Sequence, residues 1–278
     1  MIKQGLGKNI NTDLTFGIVM PTFRLKRNAE IHTSRAIYVE TIDLLRESIG
    51  SIKSQTYNNW KLFLIGDAYE DDHEVKDLLN SMLNRDQYEY YNLPTPGERT
   101  QDITKFEKRI TGGIAAMNKG VDMAYDANVD IIARLDHDDK WTPEHLELLA
   151  RAYTQIPDLA FAFTQSRKRI GGNNRGKNRN TAEYMFMPDL KIGFGINNKG
   201  YVTDATGHSS ITWSPKQLGK IHYRDAFKQK STEPKRSRTQ AGDTDMFKRV
   251  MDKLKKEDLK YVYIPKMTNY VRNRQGKL

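Results

Sequence analysis

Residues 130–139 read DIIARLDHDD, a short apolar run that ends in three carboxylates, Asp136, Asp138 and Asp139. An apolar run of this length bounded by polar residues reads as a buried strand. In an open α/β sheet, ligands bind beyond the carboxyl ends of the strands. Acidic side chains crowded at such an end are poorly explained by stability alone. Asp136 and Asp138 are one residue apart and can share a hard divalent cation. Mg2+ or Mn2+ favours such oxygen ligands beside substrate phosphates. The same residues also fit a plain acidic turn ahead of a helix, because Thr142-Pro143-Glu144 has the pattern of an N-cap with proline in the first turn.

Working outward, residues 16–21 (FGIVMP) read as a first buried strand stopped by proline. A helix is expected over 35–54, with apolar residues at helical spacing at Ile37, Leu44, Leu45, Ile49 and Ile52. Residues 60–65 (WKLFLI) form a second strand, 74–83 a short helix and 87–91 a third strand. The stretch 93–104 holds Pro94, Pro96 and Gly97 and reads as a loop. Residues 111–125 form a helix that opens on the small residues Gly112, Gly113, Ala115 and Ala116. The opening strand follows, then a helix over 143–155 and a strand over 159–164. Strands alternating with helices argue for βαβ units and a largely parallel sheet.

After residue 164 the pattern weakens. QSRKRIGGNNRGKNRN, residues 165–180, carries six basic residues and no acid and reads as a mobile loop. A strand is expected over 209–213, a basic irregular stretch over 215–238, a helix over 243–254 and a last short strand over 261–264. With no repeat and no clear linker, the chain reads as one domain. Its division falls at residue 164, where the regular alternation gives way to an elaborated, basic second half.

The net charge of +10 conceals an asymmetry. Residues 1–150 hold 18 Lys and Arg against 24 Asp and Glu, or −6, and residues 151–278 hold 27 against 11, or +16. An acidic half beside a strongly basic one suggests a catalytic part and a part that meets something anionic. There is no cysteine, so disulfides and thiolate metal sites are excluded and any metal takes oxygen or histidine ligands. MIKQGLGKNINTDLTF has no apolar core of signal-peptide length, and no segment approaches the roughly 18 apolar residues of a membrane span. The expectation is a soluble, cytoplasmic protein, in the host cytoplasm if it is viral. Peripheral membrane contact stays open.

Several pieces then stand in order: Pro21-Thr22, SIKSQTYNNW, LIGDAYEDD, GGIAAMNKG, LDHDD, AGDTDMFKRV and YIPKMTNYVRNR. This order resembles the family 2 glycosyltransferases of the GT-A fold group, well over residues 16–164 and more weakly over 205–275. The resemblance implies a Rossmann-like, nucleotide-binding mixed sheet flanked by helices, with an inverting transfer from a nucleotide-diphosphate sugar, residues 1–164 as the nucleotide-sugar and metal-binding half and residues 165–278 as the acceptor-binding half of the same domain. It implies that Pro21 and Thr22 contact the nucleotide base and that Asp67 binds the base or ribose. The usual DDGS is here Gly66-Asp67-Ala68-Tyr69, so one aspartate and the glycine are missing. Asn118 would lie near the metal, and Gly120 would permit close packing. Asp136 and Asp138 match the family's DxD, with Asp138 the direct Mn2+ or Mg2+ ligand and Asp136 facing ribose, sugar or metal. Asp139 would assist or cap the turn. Asp243, or Asp245 two residues on, would be the general base. Arg272 and Arg274 would face the diphosphate. His208, in TGHSS, is a candidate third metal or acceptor contact.

The acceptor is less legible. Residues 165–180 and 216–238 hold dense Lys and Arg, with Tyr184, Trp213 and Tyr223 nearby. Basic loops track phosphate backbones, and aromatics stack on exposed bases. A polyanionic acceptor follows, with a hydroxymethylated base in phage DNA as the leading version and an anionic glycan or lipid head group as its competitor. Clustered carboxylates also suit a metal-dependent nucleotidyl or phosphoryl transferase, and basic loops suit a non-catalytic nucleic-acid binding protein.

Overall fold

The structure, a computed structural model, describes residues 10–24, 40–97, 113–168, 185–186, 208–224 and 242–271. Its first half alternates as expected: β1 (Phe16–Thr22), α1 (Thr41–Lys53), β2 (Trp60–Gly66), α2 (Asp72–Met82), β3 (Tyr88–Asn92), α3 (Ile114–Asp126), β4 (Ile131–Arg134), β5 (Lys140–Trp141), α4 (His145–Gln155) and β6 (Leu159–Lys168). Then come β7 (Met185–Phe186), a 3-10 turn (His208–Ser210), β8 (Ile211–Trp213), the short α5 (Pro215–Leu218), α6 (Gly242–Lys256) and β9 (Lys260–Val271).

Among the described residues these strands form one sheet in the order β3-β2-β1-β4-β8-β6-β9-β5, with β7 also paired to β9. The four strands β3, β2, β1 and β4 are mutually parallel, so their carboxyl ends share one edge. Strand β8 runs antiparallel to both β4 and β6. That direction brings the amino end of β8 to the same edge, beside the end of β4. The sheet is therefore mixed, as the family resemblance implies, and not largely parallel as the alternation alone suggests: β6 and β9 are parallel, while β5 and β7 pair with β9 antiparallel.

Both faces of the sheet are covered, which is why β1 and β2 are almost wholly buried. On one face Leu45 and Ile49 of α1, Val75 and Leu79 of α2 and Leu146 and Leu149 of α4 pack on Ile18, Met20, Leu62 and Leu64. On the other, Met117 and Val121 of α3 and Met246 and Val250 of α6 pack on Val19, Phe63, Ile132 and Trp213. Each such fully buried aliphatic side chain contributes about 1.5–3 kcal/mol. The helices change face between α2 and α3, so the strand order reverses between β1 and β4. In open α/β sheets the ligand crevice forms at that reversal.

Beyond the unexpected short elements β5, β7 and α5 and the 3-10 turn that replaces the start of the strand expected over 209–213, three elements differ in extent. Strand β9 runs twelve residues where four were expected, because Pro265 does not end it. Its pairing with β6 passes from Ile264↔Thr164 directly to Met267↔Gln165. The irregularity leaves Pro265, which has no N–H, out of the ladder. Strand β6 continues to Lys168, so residues 165–168 of the expected basic loop belong to a strand, and its remainder lies outside the described residues. Helix α4 starts at His145, two residues after the expected Pro143, and its cap residue Glu144 makes no side-chain capping bond.

Candidate functional site

The crevice at the strand ends is built from β1 outward. Thr22, 1% exposed, closes β1. Its carbonyl accepts the Asp67 N–H at 2.7 Å, which ties the end of β1 to the turn after β2. The Thr22 hydroxyl is buried and has no hydrogen-bond partner. Asp67 is buried, and its Oδ1 accepts the Gly97 N–H at 2.9 Å. The chain after β3 thus returns over Asp67. It lies so close to α3 that a Cβ at Gly97 would sit 2.7 Å from that of Ala115.

The departures from DDGS have a local cause. The Asn92 side-chain amide clamps Tyr69 by accepting its N–H at 2.8 Å and donating to its carbonyl at 2.9 Å. A Cβ at Gly66 would lie 2.4 Å from Asn92 Oδ1, so glycine stands where the motif has its first aspartate. Ala68, in the motif's glycine position, keeps a left-handed backbone at φ 49°.

Beyond β4 the chain turns, with the Asp139 N–H donating to the Asp136 carbonyl at 3.1 Å. Ser209, delivered by the antiparallel β8, holds this turn. Its hydroxyl donates to Asp139 Oδ2 at 2.6 Å and accepts the Asp136 N–H at 3.0 Å. Its carbonyl accepts Trp141 Nε1–H at 2.5 Å. From α1, Ser48 Oγ lies 2.8 Å from the His137 carbonyl and 2.6 Å from that of Asp139, sharing its one hydrogen between them. Asp139 is therefore a buried pin of the turn. Asp136 and Asp138 are only partly buried. Asp136 Oδ1 accepts Arg134 Nη2–H at 2.9 Å. His137, between them, points its Nδ1 at the Pro21 carbonyl at 3.3 Å, while its Nε2 is buried without a partner.

The structure separates the other candidates. Asn118 commits its amide to the Tyr223 backbone, donating to the carbonyl at 2.9 Å and accepting the N–H at 2.7 Å. His208 lies in the 3-10 turn immediately before Ser209, hence beside the DxD segment, but its side chain lies outside the described residues. The backbone of Asp243 is in the first turn of α6, and its side chain likewise lies outside them. Asp245 Oδ2 accepts Arg249 Nε–H at 2.7 Å, and Arg249 also donates to the His222 carbonyl. Arg272 and Arg274 lie outside the described residues. The strand that leads to them pairs Tyr270 with Lys140, one residue past Asp139.

Among the described residues no group of three or more His, Asp or Glu is placed to hold a metal ion. A hard cation of the Mg2+ kind needs only one or two carboxylates when substrate phosphates complete its shell. The partly exposed Asp136 and Asp138 fit that requirement, whereas Asp139 is taken by Ser209.

Arg134, Ser209 and Asn92 have no role in the sequence-based expectations, and two aromatics expected to stack on acceptor bases are instead buried, Trp213 in the core and Tyr223 under the Arg134 guanidinium. Arg134 alone left a signal in the sequence, as the charged residue that interrupts an otherwise apolar strand.

The profile of the family described as Glycosyl transferase family 2 matches residues 36–212. The chain belongs to this family. An uncharacterized glycosyltransferase of Acanthamoeba polyphaga mimivirus is 34% identical over 126 residues, 45% of this chain and 50% of the relative. An uncharacterized protein of Sinorhizobium fredii is 27% identical over 176 residues, 63% of this chain and 17% of the relative. Among solved structures, residues 1–349 of S. aureus TarS in complex with UDP-GlcNAc share 14% identity at TM-score 0.57, covering 95% of this chain and 60% of that one. The mannosyltransferase PcManGT of Pyrobaculum calidifontis, in complex with GDP-Man and Mn2+, shares 12% at TM-score 0.50, covering 98% and 61%. At these identities the structures establish the GT-A fold alone. The family 2 chain spans half the length of its mimivirus relative. None of its described helices is long and apolar enough to cross a membrane.

Proposed function

We propose that this family 2 glycosyltransferase moves a sugar from a nucleotide-diphosphate sugar to a hydroxyl of an anionic acceptor, with inversion at the anomeric carbon. The observation that carries the reading is the meeting of Thr22, Asp67 and the Asp136–Asp138 segment at one edge of the sheet, where the strand order reverses. That TarS is solved with UDP-GlcNAc and PcManGT with GDP-Man and Mn2+ supports a nucleotide-sugar donor. Residues 1–164, braced by Ser209 and Tyr223, carry the donor side, and the basic second half carries the acceptor side.

In this reading Pro21, Thr22 and Asp67 receive the base and ribose, and the buried Thr22 hydroxyl gains the partner it lacks in the protein. Asp136 accepts from a donor hydroxyl. Asp138 holds the divalent metal, with His208 as the candidate additional ligand. Bound there, Mn2+ or Mg2+ acts as a Lewis acid on the departing diphosphate. Arg272 and Arg274 add fixed positive charge to the same oxygens. Asp243 takes the proton of the acceptor hydroxyl as its oxygen attacks the anomeric carbon and the diphosphate leaves. The ion pair with Arg249 makes Asp245 the weaker choice, since one of its oxygens is already engaged.

The acceptor is proposed from charge, with a hydroxymethylated base in DNA as the concrete version. Such a base has to leave the duplex stack to reach the site. A panel of nucleotide-sugars with Mn2+ or Mg2+, followed by nucleoside diphosphate release with and without DNA, tests the whole. Release that is lost on chelation and in Asp138→Ala is expected. No release from any donor overturns the transferase reading. Retention on heparin without transfer to hydroxymethylcytosine DNA overturns the DNA version and favours an anionic glycan or lipid head group.

A further inference from the structure

Arg134 is the last residue of β4 and only 6% exposed. The rest of that strand, Ile131, Ile132 and Ala133, is apolar and buried. Enclosing a guanidinium costs desolvation energy that an apolar side chain of similar size avoids. Stability therefore does not call for arginine here.

Its geometry is directed at two partners. Nη2 donates to Asp136 Oδ1 at 2.9 Å, and Nη1 donates to the Tyr223 hydroxyl at 3.2 Å. The guanidinium also lies over the Tyr223 ring, 5.1 Å from its centre. Tyr223 is itself fixed, because its N–H and carbonyl are both bound by the Asn118 amide on α3. The Asp136 N–H is fixed by Ser209. A rigid line thus runs from α3 through Tyr223 and Arg134 to one oxygen of a carboxylate whose side chain is 27% exposed.

We infer that Arg134 is a positioning residue of the donor site that acts through Asp136, with Tyr223 as its strap. The inference rests on the nucleotide-sugar reading above. Holding Oδ1 selects one rotamer of Asp136 and leaves Oδ2 of this 27% exposed side chain to accept from the donor. Pairing with a buried cation also offsets the charge of Asp136. It becomes a better acceptor for a neutral ribose hydroxyl than a ligand for a cation, and the metal falls to Asp138. The two carboxylates of the DxD segment, alike in sequence, are made unlike by what lies beneath one of them.

A double-mutant cycle tests this. Binding of the nucleoside diphosphates of the five common bases is measured by calorimetry, with Mn2+ present, for wild type, Asp136→Asn, Arg134→Gln and the double variant. Each single substitution is expected to weaken the nucleotide that binds by about tenfold, the scale of one charge-assisted hydrogen bond. The double variant is expected to be no weaker than Asp136→Asn, because residues acting as one unit do not add. Tyr223→Phe keeps the ring and removes only the hydroxyl. It is expected to weaken binding about threefold in the wild-type background and not at all beside Asp136→Asn.

Losses that multiply in the double variants, or wild-type affinity in both Arg134→Gln and Tyr223→Phe, overturn the assignment of Arg134 alone. A wild-type protein that binds no nucleoside diphosphate overturns the nucleotide-sugar reading and this inference with it.

Discussion

Ser209→Ala removes one oxygen atom and almost no volume, so it isolates the polar clasp from packing. The Ser209 hydroxyl is fully buried and has two partners, Asp139 Oδ2 at 2.6 Å and the Asp136 N–H at 3.0 Å. A hydrogen bond to a charged group contributes about 1.5–3 kcal/mol and a neutral one about 1 kcal/mol. The substitution should therefore cost about 2.5–4 kcal/mol, a large share of the ~5–15 kcal/mol that stabilises a typical domain. Urea unfolding at neutral pH measures it, with the slope of the transition checked for constancy. Ser54→Ala is the control, because the half-buried Ser54 hydroxyl makes a single local bond to the Ser51 carbonyl at 3.0 Å. It should cost less than about 1 kcal/mol. Equal losses in the two variants would refute the view that Ser209 clamps the acidic turn to β8.

Three further predictions concern single residues. A Cβ at Gly120 would lie 2.5 Å from Val19 Cγ1 on the buried face of β1, whereas one at Gly50 of α1 meets only Met82 Cε at 3.9 Å. By urea unfolding, Gly120→Ala should lose about 1 kcal/mol from overpacking, net of its helix-propensity gain, and Gly50→Ala should gain about 0.5–1 kcal/mol. Ala68 holds φ 49°, so Ala68→Gly should raise stability by about 0.5 kcal/mol as left-handed strain is relieved. His145 is enclosed between Trp141 and Thr268, and burial pushes its pKa down from 6.5 to about 3. A depressed folded-state pKa means that its contribution is complete above pH 6.5 and is lost as pH falls toward 3. Between pH 6.5 and 4.5, unfolding free energy should drop by about 1.4 kcal/mol per pH unit more in wild type than in His145→Leu. Parallel pH profiles would contradict the burial argument.

The first half of the fold was legible because each element there has a long local signal. The apolar runs 16–21 and 60–65 sit within a residue of β1 and β2, and the helical spacing around Leu44 to Ile52 lies within α1. The pair Lys140–Trp141 has no such signal, because a two-residue strand exists only through its partner Tyr270–Asn269. The strand signal at 261–264 stops before Pro265, whereas β9 runs on to Val271 through its pairing with β6. Proline removes a donor locally, and whether that ends a strand depends on the neighbour's register. The strand-end residues Thr22, Asp67 and Asp136 were readable as a set because β1, β2 and β4 are parallel. The roles of Arg134, Ser209 and Tyr223 were not, since each is defined by a contact with a residue far away in the chain.

The sequence by itself determined which chemistry is possible: a cysteine-free, oxygen-ligand acidic segment at the end of a buried strand, ahead of a strongly basic half. It did so because strand patterning and charge are local properties of the chain. Only the tertiary structure decided how the aspartates of DHDD differ. Asp139 is consumed by Ser209, Asp136 is paired with Arg134, and Asp138 stays partly exposed. The physical reason is the antiparallel β8 and the strap at Tyr223. Both approach the end of β4 from parts of the chain about 70 and 90 residues away. The role of a carboxylate is set by the groups within hydrogen-bond reach, and those groups are gathered by topology.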